Sequence, residues 1–304
     1  MTATTDSVVE IVEFTDPVCT WCWGSEPVLR KLESRFGEQV DVSFIMSGLV
    51  KDITAFYDNY NDIGGDPARS NAQIAKHWLE ASQRHGMPVK ITGFNLFSQV
   101  RVSSYPLNVA YKAAQMQDEA LATRFLRRLR EASAAEARLT NTTEVLVELA
   151  AEVGLDLARF VEDLSYGAAQ LAFEQDQAIT ARYNARGFPT FLVRCAGKET
   201  LLRGYKSYEE FKAVIILLSG GKIVERPLPA TEEAIMSFIK RYLSVAPIEI
   251  KTTFDLTERE LESTLDALLA KRLIVRREAG NGFFVSPKVD SAACDSATGM
   301  CTTD

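Results

Sequence analysis

No apolar run in the sequence approaches the roughly 18 residues of a membrane span. The longest candidate, Ala213 to Leu218, is far too short. The first residues, Met1 to Ser7, lack the positive n-region and apolar h-region of a secretory signal, so the expected location is the cytoplasm. Basic residues are outnumbered, 34 Lys and Arg against 41 Asp and Glu, and the formal net charge of −7 argues against a general nucleic-acid or membrane-surface role. Histidine is scarce: His77 and His85 stand in no zinc-ligand pattern and read as helix-surface or groove residues. Five cysteines, an odd number in a chain with no evident export signal, favour redox or metal chemistry over a structural disulfide framework. With 46% hydrophobic and 25% charged residues the composition is that of an ordinary globular protein, and 304 residues leave room for one large or two modest domains.

What is present centres on residues 8–36. An apolar run, Val8 to Phe14, leads into Asp16-Pro17-Val18-Cys19-Thr20-Trp21-Cys22 and then a helical pattern with Val28, Leu29, Leu32 and Phe36 on one face. A Cys-x-x-Cys that closes a strand and opens a helix sets its first sulfur at unpaired N–H groups and the positive end of the helix dipole, which stabilise a thiolate. Cys19 is therefore the expected exposed nucleophile and Cys22 the buried resolving thiol. Glu13, six residues before Cys19, is the one polar residue of Ile11-Val12-Glu13-Phe14. Burial there would raise its pKa and poise it to take the Cys22 proton. Phe188-Pro189, in Gly187-Phe188-Pro189-Thr190-Phe191, has the setting in which a cis peptide bond is kept. Trp21, Trp23 and Phe188 offer an apolar substrate surface.

Taken together, the Cys pair, Glu13, Pro27 eight residues after Cys19 and the Pro189 loop resemble the thioredoxin superfamily. More narrowly, Asp16 to Trp23 with Glu26-Pro27-Val28-Leu29, Ser104-Tyr105-Pro106 before an Ala-rich helix, and Gly187 to Thr190 resemble the cytosolic DsbA-like proteins. That group includes FrnE-like oxidoreductases and YjbH-like adaptors of protein degradation. The resemblance covers roughly residues 8–218. It implies an α/β thioredoxin fold with a large all-helical DsbA-like insertion, whose role is to shape a lid and groove beside the sulfurs. It also implies that the Pro189 loop lies against the cysteines, with Phe188 and Thr190 among the substrate-binding residues and the Phe188 backbone pairing with an extended substrate segment.

The expected domains are a thioredoxin-like unit over 1–222 with its insertion at about 66–186, a linker at 223–230, a winged-helix-like unit over 231–288 and a Cys-containing tail at 289–304. Strands are expected at Val40 to Met46 and as a hairpin, Phe191 to Arg194 with Thr200 to Arg203; the text from about Ser70 to Arg186 reads as helical almost throughout. Arg124, Arg127, Arg128 and Arg130 read as a solvated basic helix face. In the C-terminal unit the third helix opens with Glu258, Glu260 and Glu262, which disfavours DNA and leaves packing, dimerisation or client docking. Cys294 and Cys301 form a second candidate redox pair, or a soft-metal pair, and Cys195 belongs to neither pair.

The function expected is thiol–disulfide exchange on protein or small-molecule disulfides, as reductase or isomerase, with no cofactor beyond a Cys19–Cys22 redox-active disulfide. No basic residue stands between the cysteines, and Asp16 and Glu26 are near, so the pair should behave as a mild reductant rather than a dedicated oxidant. A client-docking adaptor is the alternative, and metal or metalloid handling through the tail a weaker one.

Overall fold

The computed structural model describes residues 8–288. The tail pair Cys294 and Cys301 lies outside them. Strand β1 (Val9–Thr15) buries every residue but Glu10. It is a central strand, pairing in parallel with β2 (Val40–Met46) and antiparallel with β5 (Thr190–Cys195), which in turn pairs with β6 (Lys198–Arg203). The resulting order is β2-β1-β5-β6. A strand flanked on both edges and covered on both faces has no solvated side, which is why its sequence is nearly continuous apolar text. The β5–β6 turn is tighter than expected, only Ala196-Gly197, both at positive φ, as a two-residue hairpin requires.

Helix α1 (Thr20–Phe36) crosses from β1 to β2, and its Val28, Leu29, Leu32 and Phe36 pack with Ile11, Phe191 and Val193 of the sheet and Phe211 and Ile215 of α8 (Tyr208–Ser219). Ser207 and Glu210 close a capping box on α8, and Gly220 ends it in the left-handed conformation. The opposite sheet face takes Ile179, Tyr183 and Ala185 against Val12, Phe14 and Leu192.

The insertion contains α2 (Pro67–His85), α3 (Tyr105–Gln115), α4 (Glu119–Arg130), α5 (Thr143–Val153), α6 (Leu157–Ser165) and α7 (Ala168–Arg182). One unexpected hairpin and one departure from the expected helical run occur. A short hairpin, β3 (Tyr57–Asp58) with β4 (Ile63–Gly64), precedes α2. Residues 86–104 are irregular: Gly86 stops α2 at φ 76°, and Pro88 interrupts further helix. Side chains replace the lost ladder bonds there, Asn71 serving both the N–H and the C=O of Phe97 and Asn141 the C=O of Leu96.

The C-terminal unit runs α9 (Glu232–Tyr242), α10 (Pro247–Phe254), α11 (Glu258–Ala270) and the hairpin β7 (Ile274–Ala279) with β8 (Gly282–Pro287), around its own core of Ile235, Ile239, Ile250, Leu265 and Val285. Thr257 and Glu260 form a capping box at the start of α11. The hairpin turn does not project into solvent. Asn281 exchanges two hydrogen bonds with Val89 of the insertion, and a Cβ at Gly280 would come within 2.2 Å of the Val89 carbonyl oxygen. Only glycine permits that approach. The expected linker is likewise tied down, Arg226 N–H donating to the Arg35 carbonyl and Ile223 being buried.

Candidate active site

Cys19 is the N-cap of α1, and its sulfur accepts the Cys22 backbone N–H at 3.3 Å. An orphan helix donor and the helix dipole therefore converge on one sulfur atom, as the spacing predicts. The same sulfur lies 3.5 Å from the carbonyl oxygen of Phe188, next to the cis Phe188–Pro189 bond. Cys19 is less exposed than expected, at 5%. The loop carrying Phe188 and the first turn of α1 close over it, leaving its access through a cavity of about 600 Å³ beside it. Trp21, Phe56, Ile74, Trp78, Phe97 and Phe188 contribute apolar walls to that cavity.

Cys22 is fully buried, and burial, then the neighbouring Cys19 sulfur, push its thiol well above the ordinary range. Glu13, on the central strand and fully buried, acts on the same thiol. Burial raises the Glu13 carboxyl despite the opposing Arg130, and its Oε1 has no hydrogen-bond partner among the described residues. Such an oxygen is an available proton acceptor.

Two expected site residues and one histidine are placed otherwise. Trp23 is buried, its Nε1–H donating to Pro88 O at 3.0 Å and its ring packed edge-on to Phe284 of β8, so it presents no surface to substrate. The Thr190 side chain is also buried and holds the loop by donating to Gly187 O at 2.7 Å. His85 is not a surface or groove residue. It lies beneath α1, its ring so close to Gly24 that a Cβ there would come within 2.5 Å, and burial pushes it down to about 4. His77 does line the cavity. Trp21, half-buried, is set edge-on to His77 and His85.

The basic helix face is the largest correction. Arg130 is fully buried: one arm donates to Glu13 Oε2 at 3.1 Å and Thr15 Oγ1 at 2.7 Å, the other to Glu26 Oε1 at 2.5 Å. Arg127 is buried between Glu26, Glu131 and Glu249. Arg128 pairs with Glu136 and Glu152, and Arg124 alone of the four is exposed. The partners of Arg130, and those of Arg127 apart from the neighbouring Glu131, lie on β1, α1 and α10, remote in sequence, so the helix text could not reveal them. The one hint in the sequence is a pair of glutamates, Glu13 and Glu26, in otherwise apolar surroundings. Burial alone would raise Glu26, but Arg130, Arg127 and Arg30 outweigh it and hold the carboxyl at about 2.

Asp16, expected only as a nearby acid, is fully buried. It accepts from Val18 N, Leu49 N, Ser104 Oγ and Asn108 Nδ2 at 2.6 to 2.9 Å. It pins the strand-to-helix turn to α3, which gives Ser104-Tyr105-Pro106 its structural purpose. Among the described residues no group of three His, Cys, Asp or Glu is placed to hold a metal, and no helix is long and apolar enough to cross a membrane.

The family profile described as Thioredoxin matches residues 13–213. The ClpXP adapter protein SpxH of Halalkalibacterium halodurans is 29% identical over 87% of this chain and 84% of its own length. The protein of the same name from Bacillus subtilis is 27% identical over 91% and 88%. The cytosolic disulfide reductase DsbM of Pseudomonas aeruginosa shares the fold, with a TM-score of 0.51 and 23% identity over 69% of this chain and 95% of that one. Since the family match spans more than half of its length and includes most of the sheet, both thiols and the Pro189 loop, the chain belongs to the thioredoxin family.

Proposed function

We propose that the protein is a cytosolic thiol–disulfide oxidoreductase acting on protein or small-molecule disulfides through Cys19 and Cys22. The observation that carries this reading is the Cys19 sulfur, held at a helix N-terminus by the Cys22 N–H, 3.5 Å from the Phe188 carbonyl oxygen and beside an apolar cavity. The Cys19 thiolate attacks one sulfur of a substrate disulfide; the other sulfur leaves as a thiolate and takes a proton from water. Cys22 then gives its proton to Glu13, and its thiolate attacks Cys19 Sγ in the mixed disulfide. The Cys19–Cys22 bond forms and the second substrate thiol departs. Two electrons have passed to the substrate, and a cellular low-molecular-weight thiol or dithiol must return the pair to its reduced form. Trp21 and Phe188, at the cavity, are the side chains in this reading that meet the substrate.

A second reading has its own support. The SpxH relatives align over most of their length and most of this chain, and they are named as adapters of ClpXP. On that reading the body and C-terminal unit present a client to a protease, and thiol exchange is secondary. The two are separated by catalysis of insulin disulfide reduction with glutathione as donor. An oxidoreductase accelerates insulin precipitation and loses that acceleration in Cys19→Ser. An adaptor shows no acceleration, and Cys19→Ser leaves its client binding unchanged.

A further inference from the structure

The buried charges behind the site extend beyond the thioredoxin unit. Glu13, Glu26, Glu131 and Glu249 alternate with Arg30, Arg127, Arg130 and Arg277 in one connected set. Glu249, the innermost acid of the C-terminal unit, is fully buried. It takes Arg127 at 2.7 and 3.0 Å, Arg30 at 2.8 Å and the Ala246 N–H at 2.6 Å. Arg127 also reaches Glu26 at 3.4 Å, and Glu26 shares Arg130 with Glu13. The Arg130 Nε–H has no hydrogen-bond partner among the described residues, so its hydrogen bonds are those of its two arms, with the guanidinium over the Phe44 ring.

We propose that Glu249 and Arg127 are positioning residues of the exchange site: through them the C-terminal unit fixes Arg130 between Glu26 and Glu13, and so sets the pH range in which Glu13 accepts the Cys22 proton. The proposal rests on the exchange reading above. The charged and titratable groups facing Glu13 are Cys22 and Glu26 from α1, Arg130 from α4 and Tyr111 from α3. Its neighbours across the sheet, Phe44 of β2 and Phe191 of β5, carry no charge. Arg130 is therefore the one cation near Glu13 among the described residues, and its division between two acids is the adjustable quantity. Without the Glu249 charge, Arg127 and Arg30 turn to Glu26. Glu26 then competes less for Arg130, which settles on Glu13. The net charge behind the site also becomes more positive. Both changes favour ionised Glu13, so its titration moves to lower pH. Removing a cation from the set moves it the other way.

The test is the pH dependence of the Cys19–Cys22 midpoint potential, measured in glutathione buffers on the full chain. Changes of slope in that plot mark redox-linked titrations: the one at Cys19 is identified separately by the pH dependence of its alkylation, and the other, the break followed here, belongs to the Glu13–Cys22 pair. Glu249→Gln, which keeps side-chain size, should move the break down by a few tenths to about one pH unit. Glu249→Asp, which keeps the charge, should restore it toward the parent value. Arg277→Gln, at the half-exposed outer end of the set, should move it up by a smaller amount. A role confined to packing would lower stability and leave the break in place, and that result overturns the proposal. So does a parent protein that cycles with no break. If Glu249→Gln does not fold, the Arg277→Gln shift decides. If the pair forms no reversible disulfide at all, the exchange reading fails first and the proposal falls with it.

Discussion

Replacing Cys22 by serine should convert transient mixed disulfides into isolable ones, with substrate bound covalently to Cys19 and turnover reduced to the uncatalysed background. Cys19 holds the helix-end N–H and borders the cavity, so the first attack does not need Cys22. The second attack needs a sulfur beneath Cys19, and a serine hydroxyl in its place is too weak a nucleophile to resolve the bond. Adducts should be captured from cell extract, be released by excess thiol and be identifiable by mass spectrometry. The double variant Cys19→Ser/Cys22→Ser should capture nothing. Adducts persisting in it would assign the attack to another cysteine, the tail pair Cys294 and Cys301 first.

Arg130→Met should cost about 3–5 kcal/mol of stability in urea unfolding, the usual penalty for removing one partner of a buried ion pair. Glu13 would be left fully buried with no cation, and Glu26 would lose its closest one. Adding Glu13→Gln should recover much of that loss, because the orphaned charge then disappears. The same double variant should still resolve mixed disulfides slowly, since the amide that replaces the carboxylate cannot take the Cys22 proton. Recovered stability without recovered rate would separate the two roles of the carboxylate. The pH sense follows from linkage: a carboxyl raised in the folded state contributes fully below its unfolded value and loses that contribution as pH rises through the folded value. Burial already raises Glu13 in the parent, and without Arg130 the shift grows. The Arg130→Met defect should therefore be largest at neutral pH and shrink as the pH falls toward about 4.5.

The features legible from sequence are those encoded locally. A Cys-x-x-Cys at a strand-to-helix junction specifies an N-cap sulfur, and the Val9–Thr15 text specifies a central strand, whatever the remainder does. Gly154, Gly220 and the Thr257 capping box mark helix ends by backbone requirements that read directly from residue type. What stayed hidden depends on distant partners. Arg130 looks like any exposed helix arginine until Glu13 and Glu26 are brought to it from 117 and 104 residues away. Trp23 sits beside a reactive pair in sequence, but the helix turns it toward Pro88 and Phe284 and away from the cavity. The irregular segment at 86–104 reads as helix by composition and is held in another shape by Asn71 and Asn141.

The most direct measurement of the central claim is a redox titration of the purified protein against glutathione, following the Cys19 and Cys22 thiols. A reversible two-electron transition is predicted, absent in Cys19→Ser, with a midpoint near that of thioredoxin, about −270 mV. No such transition, or a midpoint as oxidising as that of periplasmic DsbA at about −120 mV, would contradict it.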